Sequence, residues 1–243
     1  MANDAVLQLA ADKNKMEWPA QHSGWSKAFE VFCKTVFKTY CPLRTLGQEN
    51  LPKEPYLLCS NHASHIDSAA LMVAAGLSFQ KTGLIAAKDY FFDVTKRHFI
   101  HYLMNLVPIA RGIGTKAVRD SIESSRLFLL SGGLALIIYP EGTRSVSGKL
   151  SRFKEGASIL AHDLDLPMVP AYVSGSFLSL PKGSYFLRPK RVTVRFGKPL
   201  KVSEFINDSE LENRKVTFQA YRDATAELER RVHALEQESF SDA

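Results

Sequence analysis

The chain has 243 residues, 45% apolar and 23% charged, with a formal net charge of +6. That is enough apolar material for one large core, but it contains neither a run of about eighteen apolar residues for a transmembrane helix nor a basic-then-apolar leader. Three cysteines (Cys33, Cys41, Cys59) show no metal spacing and are an odd set, as expected for free thiols in a reducing compartment, with Cys59 buried. The charge excess is local. Lys88 to Lys154 holds eleven Lys/Arg against five Asp/Glu, and the rest is balanced at twenty each. An anionic ligand or surface is expected to meet that part; no nucleic-acid motif accompanies it, so nucleic acid is not an expected partner.

Residues 1–22 are polar and weakly patterned, with Trp18-Pro19 expected to tuck against the body. Ser23 can cap a helix whose apolar residues (Trp25, Phe29, Phe32, Val36, Phe37, Tyr40) recur at three- and four-residue spacing, with Lys27, Lys34 and Lys38 on the other side. Cys41-Pro42 ends it. Its aromatic face either packs on the core or lies in the plane of a membrane surface. Gly47 to Pro55 is a turn-rich connector. Residues 1–46 are therefore set apart as an N-terminal segment with an amphipathic helix and a candidate membrane contact, and 47–243 as one α/β domain.

Tyr56-Leu57-Leu58-Cys59 is a strand-type run, and Ser68 to Gly76 is a small-residue helix. The polar stretch from Ser60 to Asp67 thus sits at a strand-to-helix junction, where function usually resides. His62 and Asp67, five residues apart, point to different faces of a continuous helix. They meet only if the residues between them form a turn and Asp67 reaches back from the first helical turn. A carboxylate on one imidazole nitrogen would fix the tautomer and leave the other nitrogen as a general base. Two plainer readings stand beside this one. Asn61, Ser64 and Ser68 can be turn and cap residues, with Asp67 stabilising a helix N-terminus. Alternatively His62, His65 and Asp67 could ligate a metal, although only His98 and His101 lie near enough to add to the set.

Gly83 to Ala87 reads as a second strand. Phe99 to Val107 is apolar nearly all round, as in a buried helix, the lining for a long alkyl chain or a dip into lipid. Val107-Pro108-Ile109-Ala110-Arg111-Gly112 is a strand-like turn that places Arg111 on a Gly-flanked loop, where a guanidinium can reach a phosphate. Thr115 caps a helix to about Leu130, stopped by Gly132-Gly133. Leu134 to Tyr139 is a buried strand ending in Pro140-Glu141-Gly142-Thr143-Arg144-Ser145, the position where ligands bind in open α/β sheets. There Gly142 permits close approach, and Thr143 and Arg144 supply donors; the plainer reading is a surface turn with one salt bridge. A helix from Gly156 to about Leu164 follows, then a strand from Met168 to Val173 whose Pro170 implies an edge or a bulge. A Pro/Gly loop, a strand at Val192–Phe196 and a charged surface helix over Glu210–Glu236 complete the chain. The expected fold is α/β, with a mostly parallel central sheet and helices on both faces.

With these stretches assembled, the chain resembles the glycerolipid acyltransferase family that makes phosphatidic acid from lysophosphatidic acid. Asn61, His62, Ser64 and Asp67 match its N-H-x-S-x-x-D motif. Ile109 and Arg111 match an apolar stretch ending in Arg, and Tyr139 to Ser145 matches F-P-E-G-T-R-S with Tyr in the place of Phe. Met168-Val169-Pro170-Ala171 matches an apolar run around a Pro. Lys88 to Phe92 follows the family pattern only loosely, and Ala110 stands where many members carry a polar residue, so the acceptor is less closely defined than the reaction type.

The resemblance implies acyl transfer from a thioester without a metal, a cofactor or a covalent acyl-enzyme. His62 would take the acceptor's proton, Asp67 would support it, and Arg111, Glu141, Gly142, Thr143 and Arg144 would hold the acceptor's glycerol phosphate, with Lys154 on the same anion or on coenzyme A. The implied donor is acyl-CoA or acyl carrier protein, and the implied acceptor a lysophospholipid, foremost 1-acylglycerol-3-phosphate, at the inner, cytoplasmic face of a membrane. Acylation or transacylation of another lysolipid, and a non-catalytic lipid-binding, membrane-docking protein, are the alternatives. Hydrolysis lacks a Gly-x-Ser-x-Gly elbow.

Overall fold

The structure is a computed structural model that describes residues 18–87, 99–109, 115–206 and 218–241. Seven strands form its sheet: β1 (Leu43–Leu46), β2 (Tyr56–Ser60), β3 (Thr82–Ala87), β4 (Asn105–Ile109), β5 (Ala135–Ile138), β6 (Met168–Ser174) and β7 (Val192–Phe196), in the spatial order β1-β7-β6-β2-β5-β3-β4. All pairings are parallel except β6–β7. The longer helices are α1 (Gly24–Thr39), α2 (Asp67–Ala75), α3 (Thr115–Leu130), α4 (Gly156–Asp163) and α5 (Phe218–Ser241).

Side chains along a strand alternate between faces, so the near-continuous apolar strands feed two cores. Tyr56 and Leu58 of β2, with Ala135 and Ile137 of β5, pack beneath α1 and α2. Leu57, Cys59, Leu136 and Ile138 pack on the other side with Phe128 of α3, Leu160 of α4 and the Ala224-Leu228-Val232 stripe of α5. The expected mostly parallel α/β sheet, covered on both faces, is the observed one. Trp18 is buried, its ring edge-on to Phe128 at 5.2 Å. Gly133 lies so close beneath the Phe128 ring that a Cβ there would come within 2.3 Å of it, which accounts for the glycine after α3.

Two local expectations change. The segment set apart as 1–46 contains edge strand β1, whose Leu43 to Leu46 pair in register with Val192 to Arg195, so the sheet begins before residue 47. The apolar run from Phe99 to Val107 is not one helix: a single turn (Ile100–Leu103) gives way to β4 at Asn105. Asn105 explains the switch, because its amide donates to Phe79 O, Gln80 O and Thr82 O and ties the chain to the start of β3. Pro108 is tolerated there because β4 is an edge strand. Pro170, in contrast, lies in an interior strand. Met168 pairs with Leu200 and Ala171 with Phe196, three steps against four, so the proline lies opposite a bulge in the chain leaving β7, where no donor is required. The charged C-terminal helix is described from Phe218; its expected start at Glu210 lies outside the described residues.

Candidate active site

The two polar stretches at the ends of β2 and β5 meet, because these strands are parallel neighbours and finish at the same edge of the sheet. Asn61 clamps the first to the end of β6: its amide donates to Val173 O at 3.0 Å and its carbonyl accepts from Val173 N–H at 2.7 Å. The chain then turns, and Asp67 opens α2.

His62 Nδ1 lies 2.9 Å from Asp67 Oδ2. The same oxygen accepts the backbone N–H groups of Ala63 (2.8 Å) and Ser64 (2.7 Å). Asp67 therefore braces the turn before its helix instead of capping the helix itself. Its side chain is wholly buried, whereas the imidazole is 19% exposed. Because a carboxylate only accepts, Nδ1 carries the proton and Nε2 presents a lone pair. The Tyr139 ring stacks on the imidazole at 3.8 Å and 10°, and its hydroxyl shares a 2.7 Å hydrogen bond with Ser68. Burial, reinforced by the neighbouring Asp67 charge, holds the Tyr139 phenol well above its ordinary pKa and therefore neutral. His65 is exposed.

Glu141, expected to face the acceptor, is turned inward and is only 3% exposed. One oxygen accepts His62 N–H at 2.7 Å; the other accepts Ser151 N–H at 3.2 Å and Ser151 Oγ–H at 2.6 Å. One oxygen thus holds the His62 backbone and the other holds Ser151, a framing role beside the substrate contact expected of Glu141. Burial pushes its carboxyl pKa up, and the hydrogen bonds from Ser151 and His62 oppose that push. Ser145 N–H closes the frame by donating to His62 O at 2.8 Å.

Gly142 adopts φ +74°, and a Cβ there would stand 2.9 Å from Lys154 Nζ, so the lysine lies across the glycine. Thr143 is exposed on the same turn. Arg144 Nη1 is enclosed without a hydrogen-bond partner among the described residues. Arg111 lies outside the described residues, as do Lys88 to Phe92 and His98. Tyr139 was read from sequence only as a motif position with no role of its own, and Ser151 was missed because nothing local marks it. A groove of about 650 Å³ opens elsewhere, between β7 and α5, lined by Leu46, Phe196, Lys198, Arg231 and Leu235 among others; it shares no residue with the motifs.

An acyltransferase family profile matches residues 43–174. The chain is 30% identical over 167 residues to a 1-acyl-sn-glycerol-3-phosphate acyltransferase of Limnanthes douglasii, covering 69% of this chain and 57% of that protein. It is 32% identical over 164 residues to the protein of that name from Cocos nucifera, covering 68% and 51%. The chain thus spans only slightly more than half the length of these curated relatives. Its fold is similar to the crystal structure of the 1-acyl-sn-glycerophosphate (LPA) acyltransferase from Thermotoga maritima, with a TM-score of 0.58 and 24% identity over 84% of this chain and 78% of that one. The matched segment runs from edge strand β1 through the His62–Asp67 turn and the Glu141 frame to the end of β6, and on that ground the chain belongs to the acyltransferase family.

Proposed function

We propose that the protein transfers a fatty acyl group from acyl-CoA or acyl carrier protein to the free hydroxyl of a lysophospholipid, 1-acylglycerol-3-phosphate, giving phosphatidic acid. The observation that carries this reading is the buried Asp67 carboxylate at 2.9 Å from Nδ1 of a partly exposed imidazole. Such a pair leaves Nε2 to take the acceptor's hydroxyl proton. The oxygen then bonds to the thioester carbonyl carbon, the carbon–sulfur bond breaks, and the departing sulfur recovers the proton from the imidazolium. Asp67 steadies the transient positive charge and keeps the ring in one tautomer. No nucleophile from the protein is needed, because the acceptor brings its own.

The acceptor's phosphate would lie over the Gly142–Arg144 turn. Arg144 Nη1, enclosed and without a partner among the described residues, and the Lys154 ammonium across Gly142 are suited to an anion there. Arg111 is proposed to add a second guanidinium. Substrates of this kind reside in bilayers, so the enzyme would work at a membrane surface, on the cytoplasmic side where the thioester donors are.

The test is thiol release from acyl-CoA and from acyl carrier protein, with and without 1-acylglycerol-3-phosphate. Release should require the acceptor and should fall by about a hundred- to ten-thousand-fold in His62→Ala, the usual worth of a positioned base. Acceptor-independent release would instead indicate a hydrolase. No release with any pairing, other lysolipids included, would make a lipid-binding protein the better reading.

A further inference from the structure

From Leu166 to Ser203 the sequence holds seven Lys/Arg and no acidic residue. Within it, the loop from Pro181 to Lys190 carries two adjacent aromatic side chains at its tip. Tyr185 is 94% and Phe186 82% exposed, so the protein places almost nothing beside either ring. Single exposed apolar residues are ordinary, but two neighbouring large rings held out in water are not.

The loop is built to hold them there. Ser184 N–H donates to Pro181 O at 3.0 Å across a turn in which Gly183 takes φ +89°. At the base, Arg188 N–H donates to Ser179 O (2.9 Å) and Ser179 Oγ–H returns to Arg188 O (2.7 Å). Tyr40 at the end of α1 donates to Leu187 O at 3.1 Å. The loop also leaves directly from the candidate catalytic turn, since Ser64 Oγ–H donates to Leu180 O at 2.6 Å and Ser64 bridges Pro181. Leu178 and Val146, from segments that meet where Gly148 lies against the Phe177 ring, are also exposed.

Flanking the rings in the chain are Lys182, Arg188, Lys190 and Arg191, all exposed. Exposed rings flanked by exposed cations suit the layered chemistry of an anionic bilayer, with its acyl region below its phosphates. We propose that the Pro181–Lys190 loop inserts Tyr185 and Phe186 into an anionic phospholipid surface and so seats the mouth of the site on the bilayer. This names the partner surface of the activity proposed above and rests on that reading only for its purpose; insertion itself needs no turnover.

Two measurements test it. The first is co-sedimentation of the full chain with phosphatidylcholine vesicles, with and without phosphatidylglycerol, comparing wild type with Tyr185→Ser/Phe186→Ser. Binding to the anionic vesicles should weaken by about tenfold or more while thermal unfolding is unchanged. The second is Phe186→Cys carrying a nitrobenzoxadiazole label, selective because Cys33, Cys41 and Cys59 are buried. Its emission should rise and shift to the blue on anionic vesicles. Unchanged sedimentation together with a label that stays water-like would overturn the proposal. So would loss of binding to acyl carrier protein with vesicle binding intact, which would make the loop a protein dock. Vesicle-dependent emission in a chain that transfers no acyl group would sustain the loop proposal and reject the enzymatic one.

Discussion

At the scale of single residues, the site is held by three carboxylate oxygens. Asp67 Oδ2 serves three donors and the two Glu141 oxygens serve three more, so His62 is fixed through both ring and backbone. Glu141→Gln is therefore not conservative: one end of the amide becomes a donor facing a donor, either His62 N–H or the Ser151 pair. We expect kcat to fall by about tenfold or more, since misplacing a base by a fraction of its reach costs rates of that order. The substitution also reports on the carboxyl's pKa, which burial raises. A raised folded-state pKa means that the native protein holds this proton more tightly than the unfolded chain. Its contribution to stability is therefore complete below the ordinary carboxylate pKa and is lost as pH rises through the folded one. The melting temperature of wild type relative to Glu141→Gln should accordingly rise as pH falls into the carboxylate range. The opposite slope would mean that the hydrogen bonds outweigh burial.

At the scale of elements, α1 divides its aromatic residues between two jobs that share one helical face in the sequence. Phe29 is partly buried and meets Phe79 edge-on at 5.9 Å, whereas Trp25 and Phe32 are exposed. A spacing rule cannot separate them, because the turn at Phe79 that claims Phe29 lies fifty residues away. The division yields opposite expectations for two variants. Phe29→Ala should cost about 1–3 kcal/mol in chemical unfolding, a partial version of a core truncation. Trp25→Ser/Phe32→Ser should leave unfolding nearly unchanged and weaken liposome co-sedimentation. Unaltered sedimentation would remove α1 from the membrane surface.

At the scale of the whole molecule, charge is segregated more sharply than the excess at Lys88–Lys154 alone indicates. The apparently balanced remainder contains the acid-free stretch 166–203, so elsewhere only thirteen basic residues stand against twenty acidic ones. Basic stretches of sequence that include the candidate lipid site would steer the protein to anionic membranes, and salt should screen that steering. Raising salt from about 50 to about 500 mM should reduce turnover of bilayer-presented acceptor several-fold. A monodisperse short-chain acceptor should be little affected. Equal loss with both acceptors would place the salt effect in the site itself.

The features legible in the sequence were those encoded within a few neighbouring residues. The strand–turn–helix around His62 and Asp67, the Ser23 cap of α1, the stop after α3 and the polar turn after β5 all follow from local periodicity, glycine and capping chemistry. Tertiary structure alone decided the rest, because each case depends on a partner distant in the chain. Edge strand β1 exists by pairing with β7, almost 150 residues later. Asn105 breaks an apolar run by bonding carbonyls near Phe79, and Pro170 is harmless because β7 bulges opposite it. Glu141 joins the frame because two residues, one 79 before it and one 10 after, donate to its oxygens. Short-range chemistry writes the motifs into the sequence; which of their atoms remain available to a substrate is set by contacts that exist only after the sheet has closed.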